Sequence, residues 1–295
     1  MSALTAPSGD ASQLSPAEFS RIAEIARREA GLALSPAKNA MISARIARRL
    51  RDIGKPDYAS YVAYLESGAG ADELRMLISA LTTNVTHFFR EDHHFRLLET
   101  EVEEILAAGA KAGRPVRLWS AGCSTGQEPY SMAITIMRKF PQGSAHDVRI
   151  LATDVDEAAL ALAIRGRYTP AQLEGVSFAD RRRFFEERDR GEMEVGADIR
   201  RLVTFRPLNL VGPWPLQKTF DAIFCRNVVI YFDSETQAAL WPRFHRALTP
   251  GGLLVIGHSE RLDPVIARQF VSVGITSYRK VADPVQGPGG VQPWH

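Results

Sequence analysis

From Phe19 to Leu81 apolar residues return every three or four positions. Phe19, Ile22, Ile25 and Ala26 form one stripe, and Ile42, Ile46, Leu50 and Ile53 a second. Tyr61, Tyr64 and Leu65 begin a third, and Leu74, Leu77, Ile78 and Leu81 a fourth. That period is helical, so four short helices forming a small bundle are predicted. Local punctuation agrees. Ser15 and Ser35 each precede a proline, which places a capping hydroxyl before a residue whose φ suits the first helical position. Asp57 can cap the third helix, and Gly54 and Pro56 close the second.

Near residues 109–115, GAKAGRP, the helical period gives way to compact apolar runs: VRLWSA (116–121), VRILAT (148–153), FDAIFCR (220–226) and GLLVIG (252–257). Runs of this kind are buried on both faces of a parallel sheet. Helical segments around 127–140, 156–165 and 235–247 separate them, the alternation of a doubly wound α/β domain. The rhythm breaks between Tyr168 and Phe205, where a charged stretch with short strands near 192–196 and 200–205 predicts an inserted subdomain. The expected organisation is a disordered N-terminus (1–14), a helical N-terminal domain (15–90), and a connecting helix and linker (91–115). An α/β domain (116–282) with an insert at about 168–205 and a disordered tail (283–295) complete it.

With 295 residues, 45% of them hydrophobic, the chain can bury one large core or two unequal ones. Lys plus Arg numbers 36 against 34 Asp plus Glu, so no bulk positive charge argues for nucleic acid. Cys123 and Cys225 lie outside any metal or disulfide spacing and read as free thiols in a reducing compartment. No basic-then-apolar leader opens the sequence, and no apolar run reaches the roughly 18 residues of a membrane span. A cytoplasmic chain without membrane insertion is the expectation.

Candidate chemistry gathers at the predicted strand ends. The first strand runs into SAGCSTGQEPYS (120–131), whose small residues let backbone approach a ligand. Glu128 stands at the start of the next helix, where a pyrophosphate would need donors only; a carboxylate there favours a cationic group or a donor. Asp154, at the tip of the second strand, either accepts both hydroxyls of a ribose or caps the next helix, and Asp156 is assigned the cap. Asn227 and Tyr231 follow a later strand, as a ligand-facing pair on one helical turn or as a capping Asn and a packed Tyr. NVTHFFRE (84–91) surrounds Phe88 and Phe89 with more polar groups than a core segment needs.

NVTHFFRE, WSAGCSTGQEPYS, ATDVD, RGRY, LNL, FDAIFCRNVVIYFD and GGLLVIGHSE, in this order and spacing, resemble the CheR family of chemotaxis methyltransferases. The resemblance covers roughly residues 16–281. It implies a Rossmann-like S-adenosylmethionine-dependent methyltransferase domain behind an N-terminal helical domain, with a small inserted β-subdomain. It further implies that Asn84, Thr86, Arg90, Glu128, Asp154, Asn209, Leu210, Asn227 and Val228 line the cofactor pocket, with S-adenosylhomocysteine as product. The implied reaction is methyl transfer to glutamate carboxylates on the cytoplasmic helical region of chemoreceptors, with Arg90 and Tyr231 orienting the acceptor. The Phe pair is then expected to seal the contact between bundle and sheet. Two other readings are a non-catalytic S-adenosylmethionine-sensing module and an NAD(P)-linked oxidoreductase; Glu128 and the missing glycine fingerprint disfavour the latter.

The second helix carries Lys38, Arg45, Arg48 and Arg49, either a solvated face or a dock for an acidic helical substrate. RDRGEMEVGAD looks shorter than the Gly-containing loop of family members that bind a receptor's tethering pentapeptide, so pentapeptide independence is expected. No coiled-coil pattern occurs, and a monomer is expected. Adjacent His93 and His94 would point about 100° apart on a helix, which argues against a metal site. His258 either approaches the substrate or serves the structure.

Overall fold

The computed structural model describes residues 14–140 and 147–281. The ends expected to be loose, 1–14 and 283–295, lie outside the described residues, apart from Leu14, which is buried. The bundle consists of α1 (Pro16–Ala30), α2 (Asn39–Asp52), α3 (Tyr58–Glu66) and α4 (Ala71–Leu81). A full capping box opens α1: Ser15 accepts from the Glu18 N–H while the Glu18 carboxylate accepts from the Ser15 N–H. Asp57 caps α3 through the Ser60 N–H. Ser35 caps a single 3₁₀ turn, Pro36–Lys38, that leads into α2. Ile22, Ile25, Ile46, Tyr61 and Leu77 fill the bundle core.

Two of the four basic residues expected on a docking face turn inward. Arg49 binds the buried carboxylate of Glu73, which also accepts the Tyr61 hydroxyl at 2.7 Å. Arg45 donates to the carbonyls of Ala80, Leu81 and Thr82 and so satisfies the C-terminal end of α4. The flank of α2 that a helical wheel assigns to solvent faces α4, and a buried carboxylate needs a cation. Lys38 and Arg48 remain exposed.

Beyond the bundle come α5 (His93–Lys111), β1 (Val116–Ala121), α6 (Gln127–Lys139), β2 (Val148–Asp154) and α7 (Glu157–Arg165). Then follow β3 (Arg167–Tyr168), α8 (Phe178–Phe184), β4 (Phe185–Glu187), β5 (Met193–Val195), α9 (Ala197–Arg200) and β6 (Val203–Pro207). The chain continues through β7 (Phe220–Cys225), α10 (Ser234–Ala247), β8 (Leu248–Ile256), α11 (Pro264–Ala267), β9 (Phe270–Gly274) and β10 (Ser277–Lys280). One seven-stranded sheet has the order β6-β2-β1-β7-β8-β10-β9, parallel from β6 to β8 and antiparallel at β10 and β9.

β6 is therefore an edge strand of the main sheet, paired with β2, and the insert reduces to the antiparallel trio β3-β5-β4 with α8. α5 is no mere connector, because Phe95, Leu98, Val102, Ile105 and Leu106 are buried in the core of the sheet domain. α6 is buried from Gln127 to Met137, which explains why it lacks a polar face.

Bundle and sheet domain meet at Asp156. Its carboxylate caps α7 through the Ala158 and Ala159 N–H groups and also accepts from Ser79, Thr82 and the Asn84 amide. One side chain thus joins the end of α4, the linker and α7. Asp156→Ala is expected to lower stability by about 3 kcal/mol, combining a lost cap with orphaned buried donors. The shift in urea midpoint at unchanged m-value checks it.

Candidate functional site

Strand order reverses between β1 and β7, and ligands of open α/β sheets lie at such a point, outside the carboxyl ends of the strands. A cleft opens there, beneath the linker from α4 to α5. Asn84, Thr86, Arg90, Glu128, Asp154, Asn209, Leu210, Asn227, Val228 and Tyr231 all line it. Bundle residues Ala30 and Leu32 complete one wall.

Its floor is the turn after β1. Gly122 has φ +87°, and a Cβ there would stand 2.3 Å from Val228 Cγ2, so only glycine fits. The next turn is held by Asp154, whose carboxylate accepts the Ser124 N–H at 2.7 Å and the Asp156 N–H at 2.9 Å. Burial pushes the Asp154 pKa up, and these N–H groups oppose the rise.

The asparagines are engaged with the protein. Asn84 donates to Asp156 at 2.6 Å, Asn209 donates to the Glu29 carbonyl and accepts from the Val211 N–H, and Asn227 points its amide at Glu91, 3.4 Å away. Arg90 donates to the Val85 carbonyl at 2.9 Å. Tyr231 lies in a 3₁₀ turn, Val229–Tyr231, and its carbonyl accepts the Ala33 N–H at 2.8 Å, so it stands where bundle and sheet domain touch.

Beneath the cleft lies a buried charge cluster that the sequence reading missed. The Arg226 side chain is 2% exposed, donates to Glu128 at 3.1 Å and to the Arg90 carbonyl, and stands 3.5 Å from the Glu91 carboxylate. Glu128 also accepts the Ser120 hydroxyl at 2.7 Å; burial pushes its pKa up, against Arg226 and Ser120. Glu260, 3% exposed, accepts the N–H groups of Gly257, Asn227, Val228 and Val229 at 2.6, 3.1, 2.9 and 2.8 Å. This grip holds the turn in which Asn227 takes φ +58°. A signal existed: an arginine directly after a fully buried strand needs a buried counter-charge.

Burial alone would raise the Glu91 pKa, but Arg226, then His258 at 3.1 Å, carry it down to about 2. Glu91, His93 and His94 also bring possible metal ligands within 4.8 Å of one another, since the two rings tilt together at 4.1 Å instead of diverging. His94, however, donates from Nε2 to the Ile275 carbonyl, and burial together with Arg226 lowers its pKa to about 3. Arg226 already supplies the positive charge that Glu91 requires. His258 is exposed and meets Glu91, not the cleft lining.

Phe88 and Phe89 serve a different contact from the one expected. Phe88 packs edge-on against Tyr168 and Phe185, at 4.9 and 5.8 Å between centroids, and Phe89 against Phe95 at 5.4 Å. Both rings belong to the sheet-domain core, so they anchor the linker to that domain, and the bundle is met elsewhere, by Asp156, Asn209 and Tyr231 among others.

Residues 17–82 match the family described as "CheR methyltransferase, all-alpha domain", and residues 84–279 match "CheR methyltransferase, SAM binding domain". A probable chemotaxis protein methyltransferase of Rhizobium etli is 43% identical over 254 residues, 85% of this chain and 95% of that protein. The chemotaxis protein methyltransferase of Klebsiella aerogenes is 40% identical over 269 residues, 90% of each chain. That of Escherichia coli is 38% identical over 269 residues, 90% of this chain and 91% of its own. The chain is therefore a member of the CheR family of S-adenosylmethionine-dependent methyltransferases.

Proposed function

We propose that this methyltransferase esterifies glutamate side chains on the cytoplasmic helical region of chemoreceptors, in chemotactic adaptation or a related signalling pathway. The charge pattern of the cleft supports it. Two carboxylates, Glu128 and Asp154, and two arginines line the cleft; Arg226 is paired with carboxylates, whereas Arg90 pairs with none among the described residues. A cationic donor and an anionic acceptor both find a complement.

When bound, S-adenosylmethionine would supply an electrophilic methyl group that a carboxylate oxygen takes as the S–CH3 bond breaks and S-adenosylhomocysteine leaves as a neutral thioether. Asp154 suits the ribose hydroxyls, Glu128 the cationic methionine end, and Leu210 and Val228 give apolar walls. A free glutamate has a pKa of about 4.3, so the acceptor is ionised at neutral pH and no general base is needed. The work left to the protein is positioning and exclusion of water. Arg90 and Tyr231 orient the acceptor. The Val85 carbonyl shares the Arg90 charge, which limits ground-state pairing that would slow transfer. Tandem mass spectrometry of receptor incubated with enzyme and cofactor tests the assignment: the added methyl should map to glutamates, and modification confined to lysine or arginine would refute it.

Docking of an acidic receptor helix is assigned to Lys38 and Arg48, the exposed part of the α2 surface. Lys38→Glu with Arg48→Glu should raise KM for receptor by roughly tenfold at low salt, less at high salt, with kcat unchanged. An unchanged KM and salt dependence would remove this face from docking. Pentapeptide independence rests on the shortness of RDRGEMEVGAD, in which the Arg188 N–H donates to the Glu192 carbonyl at 2.8 Å across the turn between β4 and β5. Titration with a receptor C-terminal pentapeptide should show no micromolar binding. No helix among the described residues is long and apolar enough to cross a membrane. A monomer working in the cytoplasm on a membrane-held substrate completes the proposal.

A further inference from the structure

We propose that Arg226 is a positioning residue that keeps Glu128 charged toward the cofactor cleft and ties that charge to the linker above it. This rests on the methyl-transfer reading, in which Glu128 faces the cationic end of S-adenosylmethionine. The geometry is specific. One Arg226 nitrogen donates to Glu128 at 3.1 Å; the other donates to the Arg90 carbonyl and stands 3.5 Å from Glu91, while the guanidinium lies over the Phe95 ring at 5.4 Å. Arg90 and Glu91 belong to the linker, and Glu128 to the start of α6. A single buried cation therefore holds the cleft wall and the linker in one arrangement.

The charged and titratable groups around Glu128 make Arg226 hard to replace. Glu260 approaches from the turn after β8 and Cys123 and Cys225 from the ends of β1 and β7, while Asp154 at the tip of β2 and Arg90 on the linker line the same cleft. Beyond Arg226 lies Glu91. Among the described residues, Arg226 is the cation that pairs with Glu128. Without it, a carboxylate deprived of water and facing acidic neighbours takes up a proton, and the cleft loses the charge that attracts the donor. An ordinary structural arginine, such as Arg114 clamping Asp221 at the far end of the sheet, has no such consequence.

The test is calorimetric titration with S-adenosylmethionine between about pH 6 and about pH 8, a window set by how far burial can lift a carboxyl pKa. Arg226→Met should weaken binding by roughly 30-fold at the acid end and recover as pH rises and Glu128 ionises. Arg226→Lys should keep most of the affinity, with a flat profile. Glu128→Gln should be weak and flat, and Arg226→Met in that background should add no pH dependence. A folded Arg226→Met protein with unchanged affinity, or with a deficit independent of pH, overturns the proposal. Arg226→Gln, which retains a donor for the Arg90 carbonyl, carries the same test if the methionine variant does not fold. Failure of the unmodified protein to bind at any pH would instead overturn the methyl-donor reading, and this proposal with it.

Discussion

Replacing Arg90 with alanine should lower kcat/KM for receptor methylation by about a thousandfold, with at most about a tenfold loss of S-adenosylmethionine affinity. Arg90 is the guanidinium lining the cleft that pairs with no carboxylate among the described residues, so a glutamate entering the cleft has it as its charged partner. Losing it leaves the nucleophile ionised but unaligned, which falls mainly on turnover. The tenfold allowance reflects its place in the lining, from which it can also meet the carboxylate of the methionine end. Arg90→Lys should restore only part of the rate, because a point charge does not reproduce a planar fork that also holds the Val85 carbonyl. Single-turnover rates beside equilibrium binding separate the effects. Loss of binding equal to the whole loss in kcat/KM would make Arg90 a cofactor ligand only, and a near-normal rate would remove it from the mechanism.

Asp154→Asn is expected to weaken S-adenosylmethionine binding by about 300-fold. The carboxylate accepts from two backbone N–H groups, and an amide of the same shape must turn its NH₂ toward the Ser124 or the Asp156 N–H. The turn after β1 then shifts against Gly122 and Val228, where there is no room to give. The ribose loses an anionic acceptor in the same step. Titration with S-adenosylhomocysteine should show a similar loss, since the two ligands share the ribose. Affinity within a few-fold of the unmodified protein, with stability lowered, would reduce Asp154 to a structural link.

Much of this architecture is written in local patterns. The bundle helices follow from a repeat of three and four, and their starts from Ser15 and Asp57, because caps are local chemistry. The four central strands read as compact apolar runs because most of their length is covered on both faces, with Arg117, Arg149 and Asp221 confined to their starts. β9 and β10 escape detection because both are short and lack a continuous apolar run, β9 as the largely exposed edge strand and β10 as the strand between it and β8. β6 follows a charged stretch and exposes much of its length, so it reads as part of the insert until its pairing with β2 is seen.

The candidate site divides the same way. Glu128, Asp154 and Asn227 are legible because strand ends and loop composition mark them. The partners that set their charge and orientation are not, since Arg226 meets Glu91 and Glu128 across more than ninety residues, and Glu260 reaches Asn227 from the turn after β8. Helical wheels likewise place Arg45 and Arg49 on the flank of α2 but do not say that α4 covers it.

Methyl esters on receptor glutamates are labile to alkali, whereas methylated amines are not. Enzyme is incubated with S-adenosylmethionine tritiated in the methyl group and with receptor-rich membranes; the labelled receptor is isolated and treated with mild base. The label should enter the receptor and leave as volatile methanol. Label that stays on the protein through alkali, or that never enters the receptor, would contradict it.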